Sequence, residues 1–280
     1  MIFTDSHAHL SGVAEELGAA SLDALLDDYA AAAEADAVEG LPAPLLLDPG
    51  TEPDDLPKRI DLLRPRARAR YLRLAAGVWP SAESLSSPSR SLEALEGAIA
   101  AASGAGVRVA AVGEGGLDYH HMEASKEAQA ELFAGQLGLA SRLGLPMIVH
   151  SREAASDTLS LIAAARPDDE SRAEAPVLIH CFGYGPDEAR AFLELGCFVS
   201  FAGNLTYKGS GALREALALV PEDRILLETD SPYMNPMPKR GRPSSPADIG
   251  RTYALAAELR GVPLEALADT VSRNARKLFD

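Results

Sequence analysis

Residues 125–152 read SKEAQAELFAGQLGLASRLGLPMIVHSR, and this stretch combines the two patterns that decide the fold class. From Gln129 to Leu143 the apolar residues recur at helical spacing, which predicts an amphipathic helix over Ser125–Leu143. The apolar run over Pro146–His150 then predicts a buried strand that ends in polar residues. A helix followed at once by such a strand is the repeating unit of a parallel α/β sheet.

The same alternation continues along the whole chain. Eight segments predict strands: Ile2–Thr4, Pro44–Leu47, Leu72–Val78, Val107–Gly113, Pro146–His150, Val177–His180, Cys197–Phe201 and Ile225–Glu228. Nine segments predict helices: Leu22–Ala37, Leu56–Leu63, Ser91–Ser103, Ser125–Leu143, Glu153–Ala165, Pro186–Leu195, Ala212–Val220, Pro246–Leu259 and Leu264–Leu278. Eight strands with crossover helices form a (β/α)8 TIM barrel, and 280 residues suit the roughly 250-residue size of that fold. We therefore expect one barrel domain over residues 1–280.

Two Pro/Ser-rich stretches, Pro80–Ser89 and Pro232–Pro246, predict loops within the domain. The second stretch is long and follows the last predicted strand. Because the loops after barrel strands lie at the C-terminal face, we expect it to cover the mouth of the barrel.

The composition restricts the class of partner. The net charge is −15, which argues against a protein that coats duplex DNA, since phosphate neutralisation needs clustered Lys and Arg. A phosphate-bearing substrate remains compatible if it is small, single-stranded or held at an end. The two cysteines give no disulfide framework, and we find no signal peptide or membrane-length apolar run, so we expect a cytoplasmic protein.

Side chains that bind metals follow the predicted strands, at the end of a TIM barrel where catalytic residues lie. They are His7, His9, Glu114, His150, His180 and Asp230. Each alone also fits an ordinary structural role, such as a histidine capped by backbone carbonyls or a surface glutamate. Their common position at strand ends favours metal binding.

The spacing of these residues suggests how they divide between ions. His7 and His9 are two residues apart, so on a strand both point to one face and can chelate one ion. Asp5 has the same parity and is a candidate to orient a histidine. A carboxylate such as Glu114 can bridge two cations, whereas one imidazole cannot. His150 and His180 end neighbouring strands and are candidates for a second ion.

Several further residues are candidates with other roles. Arg152 can clamp an anionic oxygen, above all that of a phosphate. Asp230 is a candidate to accept the proton of an attacking water, and we expect Glu228 to lie one layer deeper, paired with a cation. His120 and His121 fall in the loop after the fourth strand, where solvated histidines are the usual case.

The ordered motifs resemble the TatD family of metal-dependent deoxyribonucleases, within the amidohydrolase superfamily. They run from Asp5-Ser6-His7-Ala8-His9 to the C-terminal Asn274–Phe279, and include Gly113-Glu114, His150-Ser151-Arg152, His180-Cys181-Phe182 and Glu228-Thr229-Asp230-Ser231-Pro232. The resemblance implies that His7, His9, Glu114 and Asp230 bind one divalent metal. It implies that Glu114, His150 and His180 bind a second. Mg²⁺ and Mn²⁺ are the usual ions of the family, whereas an imidazole-rich site favours Mn, Fe or Zn over Mg, so Mg²⁺, Mn²⁺ and Zn²⁺ all stay open.

Two positions depart from the family pattern. Where the family usually shows Gly-x-His-Pro after the third strand, this chain has Gly77-Val78-Trp79-Pro80. Trp79 cannot bind metal, but it can stack on a base or fill the mouth of the barrel. In the last loop Ser244-Ser245-Pro246 stands where the family tends to have Asn-Glu-Pro. Both departures affect expected substrate contacts and leave the metal ligands unchanged.

The resemblance implies phosphodiester hydrolysis, typically the trimming of DNA ends. Our hypothesis is attack on phosphorus by a water that two metal ions activate, with Glu114 between the ions, Asp230 as proton acceptor and Arg152 on the oxyanion. We expect a substrate bound at an end, DNA or another phosphodiester, and no strong duplex or membrane binding. Two alternatives stay open: amide or ester hydrolysis by the same dinuclear site, and a metal-binding scaffold that has lost catalysis.

Overall fold

Short apolar runs form the strands of a curled parallel sheet, and each of these strands begins with a buried residue. The computed structural model describes residues 1–39, 42–64, 66–166 and 175–280. Within these ranges the sheet has seven parallel strands that pair in chain order. They are β1 Leu46–Asp48, β2 Leu72–Ala76, β3 Val109–Asp118, β4 Met147–Arg152, β5 Val177–Ile179, β6 Phe198–Phe201 and β7 Ile225–Leu227.

The segment over residues 5–9 closes the barrel between β1 and β7. On one side the Asp5 N–H donates to the Leu45 carbonyl at 2.7 Å, and on the other the Ser6 N–H donates to the Leu227 carbonyl at 3.1 Å. The predicted (β/α)8 barrel is thus confirmed, with this segment in the place of the eighth strand.

The predicted strand Ile2–Thr4 is wrong, because sheet pairing begins only at Asp5. Phe3 instead stacks on Tyr253, with 4.4 Å between ring centroids. The Phe3 carbonyl accepts a hydrogen bond from the Tyr29 hydroxyl at 2.8 Å. The apolar signal of this segment therefore reflects packing against helices rather than pairing in the sheet.

Helices follow the strands and cover the outside of the sheet. Among the described residues they are α1 Leu10–Leu17, α2 Ala19–Glu39, α3 Leu56–Leu62, α4 Ala82–Leu85, α5 Pro88–Gly104, α6 Lys126–Leu143, α7 Ala155–Ala164, α8 Pro186–Glu194, α9 Gly211–Leu219, α10 Gly250–Arg260 and α11 Leu264–Phe279. In α6 the Ser125 hydroxyl accepts the Ala128 N–H at 3.2 Å, and Gly144 ends the helix in the left-handed conformation. Within the described ranges no helix is long and apolar enough to cross a membrane.

Two helices were not expected from the sequence. Helix α1 begins directly after His9, whose side chain makes no cap; the first N–H, that of Leu10, is accepted instead by Asp48 Oδ1 at 2.9 Å. The capping residue is therefore 38 positions away in sequence, where no local pattern reveals it. Helix α4 lies inside the predicted loop Pro80–Ser89, and Ser81 caps it by accepting the Ser84 N–H. The predicted loop Pro232–Pro246 contains neither a strand nor an α-helix within the described residues.

Candidate metal centre

His7 and His9 lie on the segment that closes the barrel, and backbone pairing on both sides holds them in place. The Ala8 N–H donates to Leu47 O at 2.9 Å, toward β1. Toward the other edge, the His9 N–H donates to Ser231 O at 2.8 Å and the Asp230 N–H donates to His7 O at 2.9 Å. This pairing brings both imidazoles next to Asp230, whose backbone has a positive φ of 57°.

Glu114 lies in the middle of β3, not at its end as the predicted strand Val107–Gly113 implied. The register between β3 and β4 shifts between Val112 and Gly115, so one extra residue of β3 faces β4 at this point. Such bulges re-aim side chains and are common beside active sites. The strand continues past Glu114 to Asp118.

Glycines explain why β3 continues where a loop was expected. Gly116 has a φ of 150°, and a Cβ there would lie 2.0 Å from the His150 carbonyl oxygen on β4. Any side chain at this position would push the two strands apart. The Gly-Glu-Gly-Gly pattern therefore marks close contact between strands, although by itself it resembles a turn.

The carboxylate of Glu114 lies between two groups of potential ligands. Its Oε2 atom is 3.1 Å from His7 Nε2 and 3.5 Å from His9 Nε2. Its Oε1 atom is 3.0 Å from His150 Nδ1 and 3.2 Å from His180 Nε2. One oxygen thus faces each pair of histidines, which is the arrangement of a bridging carboxylate.

Asp230 completes the first group. Its Oδ1 atom lies 3.5 Å from His9 Nε2 and 3.9 Å from His7 Nε2. Three groups of side chains have ligand atoms that lie within 4.8 Å of one another: His7, His9 and Asp230; Glu114, His150 and His180; and His7, His180 and Glu228. The structure therefore brings together all six residues that the sequence proposed as ligands.

The separations fit a divalent cation. Ligand atoms about 2.1 Å from one ion lie roughly 3.0–3.4 Å apart in octahedral or tetrahedral geometry. The contacts of Glu114 with the four histidines, between 3.0 and 3.5 Å, agree with that spacing. The buried carboxylate oxygen Glu228 Oε2 also has no hydrogen-bond partner among the described residues.

The electrostatics of the site favour added positive charge. Burial opposes ionisation of Glu114, but the nearby histidines outweigh it and hold its pKa well below the usual value. The pKa of His180 is raised well above its ordinary value despite burial, because Glu114 and Glu228 lie beside it. In a site of this kind a divalent cation replaces the protons of the imidazoles, since metal binding requires them to be neutral.

Asp118 is a functional candidate that was not singled out from the sequence as an orienting group. The His150 Nε2–H donates to its Oδ2 atom at 3.0 Å, which leaves Nδ1 of that ring facing Glu114. His121 Nδ1 donates to the same oxygen at 3.0 Å. A carboxylate on the far nitrogen of a metal-binding histidine fixes its tautomer and orientation. The sequence contained one signal for this role: Glu114 and Asp118 are four residues apart, so their side chains lie on the same face if the strand continues through both.

Asp5 acts differently from what we expected, whereas Glu228 is buried beside a positive group, as expected. Asp5 does not contact a histidine ring; it accepts the Thr229 hydroxyl at 2.7 Å and the backbone N–H groups of Thr229 and His7. These hydrogen bonds connect the segment over residues 5–9 to the residues after β7. Glu228 is fully buried and accepts the Cys181 N–H at 2.6 Å, and its positive neighbour is His180 Nδ1 at 3.3 Å rather than a lysine or arginine.

The mouth of the site carries a cation and aromatic rings. Arg152 ends β4 two residues beyond His150, and its exposed side chain has no hydrogen-bond or ion-pair partner in the described part of the chain. Trp79 lies on the His150 side, with 6.0 Å between ring centroids. Tyr233, 62% exposed, lies on the His9 side at the same separation.

Of the remaining predicted residues, two stand apart from the ligand cluster. His120 is exposed and pairs with Glu153 at 2.9 Å. Ser244 is buried and its hydroxyl hydrogen-bonds with the Ser231 hydroxyl at 3.1 Å, so it holds the last loop beside Asp230.

Cys181 is partly buried, and its thiol is not suited to act as a nucleophile. Burial, together with Asp230 and Glu228, raises the pKa of this thiol well above the ordinary value.

Comparison with known proteins gives a consistent family. The family model "TatD related DNase" matches residues 4–280. The uncharacterised metal-dependent hydrolase YcfH of Escherichia coli K12 is 34% identical over 286 residues, covering 100% of this chain and 96% of that protein.

Two further proteins extend this likeness. The 3'-5' ssDNA/RNA exonuclease TatD of Pantoea ananatis is 38% identical over 176 residues, covering 61% of this chain and 66% of that protein. The crystal structure of YjjV, a TatD homologue from Escherichia coli K12, superposes with a TM-score of 0.75 at 26% identity, over 99% of this chain and 97% of that one. With its barrel, its His/Asp/Glu cluster and these matches along its length, the chain belongs to the TatD family of metal-dependent hydrolases.

Proposed function

We propose that this chain is a phosphodiesterase that removes nucleotides from single-stranded or frayed DNA ends with the help of two divalent cations. The observation that carries the proposal is the position of Glu114, which presents one carboxylate oxygen to His7 and His9 and the other to His150 and His180. The name of the Pantoea relative, an exonuclease on single-stranded DNA and RNA, supports the choice of substrate.

The residues divide the chemistry between them. Divalent cations in such a site supply a water of lowered pKa and offset the charge of the phosphate oxygens. His7, His9 and Asp230 would hold one cation, His150 and His180 the other, and Glu114 both. Mg²⁺, Mn²⁺ and Zn²⁺ are the candidate cations for this set of imidazole and carboxylate ligands.

Asp230 is suited to accept a proton. Burial opposes its ionisation, but the hydrogen bond from His9 and the charge of the neighbouring histidines lower its pKa, so the group is a carboxylate at neutral pH. In the proposed reaction water adds to phosphorus and gives its proton to Asp230. The bond from phosphorus to the leaving sugar oxygen breaks, and that oxygen takes a proton from solvent.

Arg152 is suited to hold the phosphate. Its side chain is exposed two residues after His150 on β4, and an arginine pairs with two phosphate oxygens at once. Because the chain as a whole carries a net charge of −15, a long duplex would meet repulsion over most of its length. A single-stranded end needs to approach only the mouth of the barrel.

The test is release of nucleotides from an end-labelled single-stranded oligonucleotide with added Mn²⁺ or Mg²⁺. We expect metal-dependent release by the wild type and a loss of several orders of magnitude in Asp230→Asn and His150→Ala. His120→Ala is the matched control, because this imidazole lies in a nearby loop but contacts Glu153 instead of the cluster. Circular dichroism of each variant separates loss of chemistry from loss of fold.

A carboxylic ester substrate, run in parallel, tests the competing reaction. Turnover of the ester without release from DNA would replace our proposal with acyl hydrolysis by the same residues. Bound metal without turnover of either substrate would indicate a scaffold that has lost catalysis.

A further inference from the structure

Trp79 is held rigidly at the mouth of the barrel, just beyond the end of β2. The side-chain amide of Gln136 in α6 makes two hydrogen bonds with the backbone of Val78, the residue before Trp79. The Val78 N–H donates to Gln136 Oε1 at 2.8 Å, and Gln136 Nε2 donates to the Val78 carbonyl at 2.9 Å. The Trp79 N–H donates to Thr51 O at 2.9 Å, and the Trp79 carbonyl accepts the Ser84 hydroxyl at 2.8 Å. Both polar groups of the Trp79 backbone are thus hydrogen-bonded, and its position is set by contacts with α6, α4 and the loop after β1.

The indole ring is partly exposed and lies directly beside the predicted ligand His150. The centroids of these two rings are 6.0 Å apart at an interplanar angle of 72°. On another side the ring of His121 lies at the same distance and at 67°. Neither imidazole is stacked parallel on the indole, and among the described residues the indole N–H has no hydrogen-bond partner. A ring that only filled a gap in the core would be enclosed on all sides.

The surroundings indicate what this ring can bind. His150 is partly buried between the carboxylates of Glu114 and Asp118 and faces the predicted second ion, so a phosphate at the cluster places its nucleotide next to Trp79. Every nucleobase has an aromatic face, and such faces stack on tryptophan with little dependence on sequence. The exposed cation of Arg152 ends the same strand as His150 and suits the charged part of that nucleotide.

We propose that Trp79 is a base-stacking subsite: it binds the face of the nucleobase adjacent to the scissile phosphate and makes the enzyme prefer base-bearing over abasic ends. This inference rests on the proposed function. Trp79 is a specificity-determining residue in this account and takes no part in bond cleavage.

Kinetics on paired substrates separate stacking from a structural role. One single-stranded oligonucleotide ends in thymidine, and its partner ends in a tetrahydrofuran abasic residue with the same phosphate. We expect Trp79→Ala to lower kcat/KM on the base-bearing end about 5- to 150-fold, the usual effect of losing one base–aromatic stack, mainly through KM. The abasic substrate should be unaffected, and Trp79→Phe should keep most of the preference. An equal loss on both substrates would overturn the proposal.

Fluorescence tests binding without turnover. The sequence contains one tryptophan, so intrinsic tryptophan emission reports on Trp79 alone. Titration with phosphorothioate-linked dithymidylate, which resists hydrolysis, should quench this emission saturably, whereas the abasic analogue should bind more weakly and quench little. Equal affinity and equal quenching by both ligands, in an enzyme that does release nucleotides, would overturn the base-stacking subsite alone. Absence of binding by both ligands, together with no hydrolysis of any phosphodiester, would contradict both the base-stacking subsite and the proposed function.

Discussion

At the residue scale, the buried carboxylate of Asp118 connects the ligand cluster to the loop after β3. Its Oδ2 atom accepts hydrogen bonds from His150 and His121, and its Oδ1 atom accepts the backbone N–H groups of His120 and His121. These bonds outweigh the effect of burial and keep its pKa below the ordinary value. The residue is therefore a charged orienting group at neutral pH.

We expect Asp118→Asn to weaken metal binding about 10- to 100-fold, because groups that orient a ligand histidine have effects of this size. Isothermal titration with Mn²⁺ measures the loss. Glu153→Gln is the matched control, since Glu153 is an exposed carboxylate that pairs with His120 and does not touch a predicted ligand. Equal affinities in the wild type and Asp118→Asn would show that His150 needs no such support.

The buried carboxyl group of Asp5 should make the stability of the fold depend on pH. Burial, with a smaller effect of Glu228, raises the pKa of Asp5 to about 7, although Thr229 and His7 donate hydrogen bonds to it. The folded protein therefore keeps a proton that the unfolded chain releases near pH 4, so the free energy of unfolding falls as the pH rises from about 4 to about 7. Asp5→Asn retains an acceptor but has no such proton to lose.

Urea unfolding in EDTA at pH 5 and pH 8 measures this effect. From pH 5 to pH 8 the free energy of unfolding of the wild type should fall by about 2–3 kcal/mol more than that of Asp5→Asn. Asp61→Asn serves as the control, because Asp61 is an exposed carboxylate paired with Arg64. A wild type and an Asp5→Asn variant with the same pH dependence would rule out a proton on Asp5.

The six proposed ligands could be predicted as a set from the sequence because each follows an apolar run that could be placed on a strand. Asp118 was not singled out as an orienting group, because the strand was predicted to stop at Gly113. The pairing of Gly115–Asp118 with Val149–Arg152 in the structure shows that β3 extends further. Trp79 could be identified as unusual, but its distance from His150 depends on how β2 and β4 lie in the barrel.

At the element scale, Arg59 of α3 joins the ends of β1 and β2 to the segment of the ligand histidines. Its Nη1 donates to Asp48 Oδ2 at 2.8 Å, and its Nη2 donates to the Ala75 carbonyl at 2.7 Å and to Asp55 Oδ1 at 2.9 Å. Asp48 in turn accepts the first N–H of α1, that of Leu10. A buried ion pair thus replaces the local cap that α1 lacks.

We expect Arg59→Met to lower the free energy of unfolding by about 3–5 kcal/mol, because it leaves the fully buried Asp48 without a countercharge. Adding Asp48→Asn should recover part of that loss. Chemical denaturation of both variants gives the two values. A loss below about 1 kcal/mol for Arg59→Met would show that the pair contributes little.

Helix α1 and the pairing of the segment over residues 5–9 were missed for the same reason. The start of α1 depends on Asp48, and the closure of the barrel depends on pairing of Asp5 and Ser6 with strands far along the chain. Predictions from local patterns identify α6 well, because Ser125 and Gly144 supply its capping signals within the helix region itself. Contacts between distant segments leave no such local signal.

At the scale of the whole molecule, the net charge of −15 predicts a weak dependence of DNA binding on salt. If Arg152 pairs with one or two phosphates, the slope of log affinity against log salt should be about −1 for single strands. Fluorescence anisotropy over a range of KCl concentrations measures it. A slope of about −4 or steeper, or equal binding of duplex DNA, would reveal an extended basic surface that this account lacks.

The number of divalent ions bound per chain tests directly whether Glu114 joins two cations in one site. Equilibrium dialysis against Mn²⁺ followed by elemental analysis gives that number for the wild type, Glu114→Gln and His150→Ala. We predict two ions in the wild type, one in His150→Ala, and weakened binding of both in Glu114→Gln. A single ion in the wild type, or two ions held as tightly in Glu114→Gln, would contradict the account.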